Sequence, residues 1–256
     1  MRVDLNCDLG ESADPDRLAM EERIMASVTS VNVACGVHAG SPDVMRRTVL
    51  AARLHGVAVG AHPGFPDREG MGRTEGTVPV AEVERLVADQ VRALSAVAAE
   101  EGVTLAHVKP HGALYHLAAR DRSAAEAVAR AVAVVDRRLV LFGLAGSPAV
   151  EAGLALGLTV AEEAFADRGY RADGSLVPRG QAGALITDER EVAARVLRLV
   201  REGTVETVDG AILSLRADTI CLHGDTPGAD RLARLVRREL IRAGVRLLPV
   251  GASDAA

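Results

Sequence analysis

The sequence has no tryptophan, and two tyrosines and three phenylalanines are its only large aromatics. That scarcity excludes the stacked aromatic platforms that hold single-stranded nucleic acid. Three cysteines, Cys7, Cys35 and Cys221, are odd in number and widely separated, with no C-x-x-C pair. Neither a disulfide framework nor a zinc knuckle is indicated, and they read as small buried hydrophobes on strands in a reducing, cytoplasmic setting. No apolar run reaches the roughly 18 residues of a membrane span, and even "AVARAVAVVDRRLVLFGLAG" is cut by charge. The opening "MRVDLNCDLGE" carries acids where a secretory leader is apolar, so neither export nor a membrane role is expected. The phosphate-binding pattern G-x-x-x-x-G-K-[ST] is also missing. With a net charge of −5 and arginines scattered among acids, no nucleic-acid-binding face is expected.

Lysine is the scarcest of the charged residues. All but one of the 30 lysine and arginine residues are arginine. The exception, Lys109, sits in "HVKPHGALYH" (107–116), which also holds three of the seven histidines.

What is present is a repeating alternation of short apolar runs and longer helical patterns, the signature of βα units around a parallel sheet. Strands are predicted at 2–6, 30–34, 57–61, 105–109, 139–143, 158–162 and 218–223, with an eighth candidate at 245–250. Ser41-Pro42, Ser147-Pro148 and Thr226-Pro227 read as helix starts, each a hydroxyl cap followed by a proline. Gly56, Gly102 and Gly244 read as helix stops, and 203–215 as a hairpin turning at Asp209-Gly210. No linker or repeat divides residues 1–256, which read as one domain.

Within the strands, one face is apolar and the other small or polar. Val3, Leu5 and Cys7 oppose Asp4, Asn6 and Asp8; Val57, Val59 and Ala61 oppose Ala58, Gly60 and His62; Ala106 and Val108 oppose His107 and Lys109. An open doubly wound sheet would bury both faces and show near-continuous apolar strands. The pattern predicts a (β/α) barrel with helices outside and a polar, partly open interior.

Polar clusters follow the strands at one end only: "NCDLGE" (6–11), "CGVHAG" (35–40), "AHPGFPDREGMGR" (61–73), "KPHG" (109–112), "EEAFADRGYRADGSLVPRGQAG" (162–183) and "HGDTPG" (223–228). In α/β barrels that end carries the active site. His38, His62, His111 and His223 are therefore candidate site residues, His107 a deeper core histidine, and His55 and His116 surface residues. Pro110 forbids a helical zinc pair through His107 and His111. Lys109, as the last inward residue of strand four, can stabilise a developing oxyanion or, with a lowered pKa, act as a base, while contributing little to packing. Asp8, buried, needs a metal, a cation or a substrate N–H as partner. Glu163 is a candidate general base, and Asp225 belongs either to the rim or to the turn before Thr226. Among Arg68, Arg73, Arg168, Arg171 and Arg179 most are expected to be solvated, with one or two, such as Arg73 or Arg179, clamping a substrate carboxylate.

These clusters resemble the LamB/YcsF family. The matching stretches are "DLNCDLGE", "SVNVACGVHAG", "GAHPGFPDREGMGR", "VKPHGALYH", "EAFADRGYRADGSLVPR" and "CLHGDTPGA", in order from Asp4 to Ala229. The resemblance implies an irregular seven-stranded (β/α) barrel of the glycoside hydrolase and deacetylase type. It also implies the A-subunit role in hydrolysis of 5-oxo-L-proline to L-glutamate, coupled to ATP cleavage, with PxpB and PxpC as partner subunits. Lacking a phosphate loop, the chain is expected to leave ATP wholly or partly to them. On this reading Asp8 or Glu163 accepts the lactam N–H, Lys109 with His111 faces the carbonyl, and His38, His62, His223 and Asp225 line the substrate. Two alternatives stand beside it: a stand-alone metal-dependent amidohydrolase or deacetylase, with a divalent ion at Asp8, His38 and His62, and a non-catalytic regulatory subunit.

Overall fold

The computed structural model describes residues 1–76, 78–224 and 228–252. Its first half runs β1 (Arg2–Leu9), α1 (Pro15–Met25), β2 (Ser30–Ala34), α2 (Pro42–His55), β3 (Ala58–His62), α3 (Val80–Glu100), β4 (His107–Val108), α4 (Gly112–Arg120) and α5 (Arg122–Val135). The second half runs β5 (Val140–Leu144), α6 (Pro148–Ala155), β6 (Val160–Phe165), α7 (Glu189–Glu202), β7 (Thr204–Glu206), β8 (Ile212–Ser214), β9 (Thr219–Leu222), α8 (Ala229–Arg242) and β10 (Arg246–Leu247).

Strands β1 to β6 and β9 are parallel neighbours in that order. Pairing of β9 with β1, from Asp4↔Thr219 to Cys7↔Leu222, closes the seven-stranded barrel. All seven predicted strands are present. The eighth candidate becomes β10, which pairs only with Arg2 and Val3 of β1 and adds no stave. Strand four shrinks to two residues, although the N–H groups of Ala106 and Lys109 still donate to β3 carbonyls. The β7–β8 hairpin turns at Asp209-Gly210 as expected, with Gly210 at φ 79.

Alternation sorts the side chains as the sequence pattern requires. Val3, Leu5, Val31, Val33, Val59, Val108 and Ile220 point outward into the core between barrel and helices. Inside, Val140, Phe142 and Ala161 form a separate small apolar cluster, with Val250 against it. β5 carries no polar side chain and Ala161 precedes Glu163 on β6, so this cluster forms an apolar sector beside the polar residues of the interior. All five large aromatics are buried.

Two cap readings separate. Ser41 accepts from the Val44 N–H at 3.3 Å and Pro42 opens α2. Ser147 precedes Pro148 at the start of α6, but its buried hydroxyl makes no cap bond. Thr226-Pro227 lies outside the described residues. Gly56 caps α2 in the left-handed conformation, and Gly102 and Gly244 take positive φ just past α3 and α8.

Gly60 shows why one inward position lacks a side chain. A Cβ there would lie 2.1 Å from His107 Nε2. His107 cannot yield easily, because it bonds to Asn32 Oδ1 at 2.7 Å and stacks on Phe142 at 4.1 Å. Gly60→Ala is therefore expected to destabilise the fold by roughly 1–3 kcal/mol, the usual cost of overpacking, read as a lowered denaturant midpoint. An unchanged midpoint would show that His107 is not fixed.

Candidate active site

Lys109 ends the inward row of β4, and the barrel closes around it. Its Nζ donates to Asp8 Oδ1 at 2.9 Å, Cys221 Sγ at 3.0 Å and Asn6 Oδ1 at 3.3 Å, and pairs with Glu163 Oε1 at 3.0 Å. The ammonium is 2% exposed and Glu163 fully buried. Neighbouring amides complete the network. Asn6 Nδ2 donates to Glu163 Oε1 and Thr219 Oγ1, and Asn32 Nδ2 to Asn6 Oδ1 and Asp8 Oδ1, all at 2.7–2.9 Å. Burial alone would push the lysine pKa down, but the facing Asp8 and Glu163 carboxylates hold it well above its ordinary value. Burial likewise opposes ionisation of Asp8, and His62 and Lys109 overcome it, holding the carboxyl well below the usual range. The flanking carboxylates thus favour the ammonium form of Lys109, which counts against the reading of it as a base. Removing it would also leave the buried Glu163 carboxylate and the half-buried Asp8 carboxylate without their shared cation, so it is structural as well, contrary to the expectation of a minor packing role.

The histidines gather beside Asp8. His62 Nε2 lies 3.3 Å from Asp8 Oδ2 and 2.8 Å from His111 Nδ1. His38 stacks on His111 with ring centroids 4.0 Å apart and planes 2° from parallel. Gly64 and Gly72 make room for this stack, since a Cβ on either would come within 2.9 Å of a histidine ring. Burial pushes His111 down to about 3 and His38 to about 2.

Across the opening, His223 Nδ1 is bound by Asp167 at 2.8 Å, and its ring stacks on Phe165 at 5.6 Å. Asp167 accepts from Nδ1–H, so in the neutral ring Nε2 is the nitrogen left to accept. Arg168, 2% exposed, donates to the carbonyls of Ala184 and Val177 and so folds the long loop after β6 over the site. The cavity is about 380 Å³ and is lined by Asp8, Glu11, His62, Lys109, Tyr115 and His223, among others, with Arg73 and Arg179 at its rim. That size suits a small molecule.

The structure brings Asp8, Lys109, His111, His62, His223, Arg73 and Arg179 to this one cavity. Glu163 lies beneath the wall behind Lys109 and His38 lies behind His111; neither lines the opening. Asp225 falls outside the described residues. His116 is half-buried on the cavity wall, not on the surface, because α4 turns that face inward. Arg168 is likewise buried, not solvated. Sequence pattern does not reveal Asp167 or Tyr115. Asp167 sits in a loop without periodicity, and Tyr115 is on a helix where a core aromatic reads the same. Cys221 is buried as expected, yet it also touches the lysine.

The LamB/YcsF family model matches residues 3–255, and the chain belongs to that family. The A subunit of 5-oxoprolinase from Heliobacterium modesticaldum is 51% identical over 245 residues, 96% of each chain. Its counterpart of the same name from Geobacillus kaustophilus is 52% identical over 245 residues, 96% of this chain and 95% of its own. The crystal structure of the lactam utilization protein from Thermus thermophilus superposes with a TM-score of 0.90 at 48% identity, covering 97% of this chain and 99% of that one.

Breaking a buried ion pair from one side costs about 3–5 kcal/mol. Lys109→Met is expected to destabilise by that amount, and adding Glu163→Gln should recover part of it by removing one of the stranded charges. Urea unfolding of both variants checks this. Equal stabilities for Lys109→Met and the wild type would show that the pair is not formed.

Proposed function

We propose that this chain binds and opens the lactam ring of 5-oxo-L-proline as the A subunit of a cytoplasmic ATP-dependent 5-oxoprolinase, working with PxpB and PxpC. The carrying observation is the Lys109 amine at a small cavity's wall, flanked by two carboxylates, with one of its donors resting on a weak acceptor, the Cys221 sulfur. A carbonyl oxygen that gains negative charge is a better acceptor and would draw that donor. The names of the relatives support the same reading.

A five-membered lactam is a stable amide. Phosphoryl transfer from ATP to its oxygen would make the ring carbon electrophilic. Water then adds to that carbon, the C–N bond breaks as the nitrogen takes a proton, and a second water releases phosphate, leaving glutamate and ADP. Lys109 would stabilise charge on the oxygen throughout, since a preformed cation costs no reorganisation. Asp8 and Glu163 act through Lys109, holding its charge and direction. His111 has both ring nitrogens engaged, so the carbonyl falls to Lys109 alone. His223, kept as an Nε2 acceptor by Asp167, is placed to take a proton from attacking water. Arg73 and Arg179 would hold the substrate carboxylate. ATP would be handled with the partner subunits, because the chain lacks a phosphate loop.

With both partners present, 5-oxoproline should be hydrolysed only with ATP, and the chain alone should show no 5-oxoproline-stimulated ATPase. Robust ATP turnover by the isolated chain would contradict the division of labour. Lys109→Arg should abolish turnover, since a planar fork does not replace a point charge in a closed nest; near-normal turnover would sink the role given to Lys109.

Both rim arginines are exposed, so the carboxylate clamp should be modest. A charge-assisted hydrogen bond is worth about 1.5–3 kcal/mol. Removing the carboxylate, as in 2-pyrrolidone, is expected to lower kcat/KM by roughly 10- to 100-fold on that scale. Comparable kcat/KM for the two lactams would argue for a general lactamase instead.

A further inference from the structure

His62 and His111 have each committed a proton to the backbone. His62 Nδ1 lies 2.8 Å from the Lys109 carbonyl, and His111 Nε2 lies 2.8 Å from the Met71 carbonyl. A carbonyl oxygen only accepts, so both contacts are N–H donations, and a ring without a second proton keeps a lone pair on its other nitrogen. Those two nitrogens, His62 Nε2 and His111 Nδ1, face each other across 2.8 Å. Two lone pairs do not form a hydrogen bond. The contact requires positive charge between them, from either a shared proton or a metal ion.

Three further observations favour the ion. Asp8 Oδ2 lies 3.3 Å from His62 Nε2, and the other carboxylate oxygen is occupied by Lys109 and Asn32. Metal–ligand bonds of about 2.0–2.1 Å place neighbouring donors about 3 Å apart, as His62 Nε2 is from both Asp8 Oδ2 and His111 Nδ1, and all three donors lie within 4.8 Å of one another. Ligating histidines also commonly give their second N–H to a backbone carbonyl, which is the arrangement of both rings here. Finally, His38 is fully buried beside this group, with neither ring nitrogen hydrogen-bonded among the described residues. Together with Glu11 and His111 it forms a second donor set sharing His111.

We propose that Asp8 Oδ2, His62 Nε2 and His111 Nδ1 bind one divalent transition-metal ion of the zinc class, its open side toward Glu11 and His38. His38 takes no direct part, so the donor set differs from the Asp8, His38 and His62 combination expected from sequence. The inference rests on ring tautomers and distances, independently of the substrate.

Chelator-treated full-length protein would be titrated calorimetrically with Zn²⁺, and with Co²⁺ followed by visible absorption. One ion per chain is expected. His62→Gln and His111→Gln should each weaken binding by more than the roughly 10–100-fold typical of losing an outer partner, whereas His55→Gln, on the exposed end of α2, should leave it unchanged. If a variant fails to fold, X-ray absorption of Co²⁺-loaded wild-type protein decides, with two imidazole nitrogens expected on the ion. No stoichiometric ion in folded wild-type protein, undiminished binding in both variants, or an all-oxygen coordination shell would each overturn the proposal and leave the shared proton.

Discussion

An ammonium buried between two carboxylates is the constraint around which the interior of this barrel is arranged. Asp8 and Glu163 lie on β1 and β6 and Lys109 directly follows β4, and taking their charges out of water is costly unless the remaining lone pairs and N–H groups find partners. Asn6, Asn32, Thr219 and Cys221 supply most of those partners from β1, β2 and β9, and Glu163 Oε2 alone of the carboxylate oxygens is buried without a hydrogen bond among the described residues. The polar layer is therefore not a collection of independent site residues. It is one hydrogen-bonded unit, and a shift in any strand register would strand a charge. This explains why an otherwise arginine-rich chain has lysine here. A guanidinium could not fit its planar fork among four close acceptors at one point.

The cavity inherits its asymmetry from that unit. On one side Asp8 ties the lysine to the histidine group of His62 and His111, with His38 stacked behind. On the other, the loop after β6 brings Asp167 to His223 and is itself pinned by Arg168 through backbone carbonyls. One wall thus concentrates negative charge and imidazole lone pairs, and the opposite wall offers a fixed imidazole acceptor with arginines at the rim. A small molecule in the cavity would meet a different chemistry at each wall.

Much of this is legible in the strands. Strict alternation of apolar with small or polar residues places Asp4, Asn6, Asp8, His62, His107 and Lys109 inside from sequence alone, because a strand has only two faces. Legibility fails where that two-fold rule does not operate. Asp167 and Arg168 lie in an irregular loop whose path depends on hydrogen bonds to distant carbonyls. Tyr115 and His116 lie on α4, where an inward residue looks like any core or surface position. Glu163 is correctly turned inward by alternation, but its depth behind Lys109 depends on barrel stagger, which alternation does not encode. The partner of Asp8 among the histidines depends on loop geometry in the same way: His38 and His111 both follow strand ends, and only the stack between them shows which one reaches His62. Ser147 has the cap sequence without the cap bond, since its hydroxyl is turned into the interior.

The claim on which the rest depends is that Lys109 remains an ammonium. Because it is the only lysine, uniformly isotope-labelled lysine gives a single side-chain signal that can be followed by NMR through a pH titration of the native protein. The account predicts an ammonium resonance that persists beyond the alkaline range where a free lysine, with a pKa of about 10.4, loses its proton. A resonance that shifts to the neutral amine near pH 7, roughly three units lower on the same scale, would contradict it and make Lys109 a base.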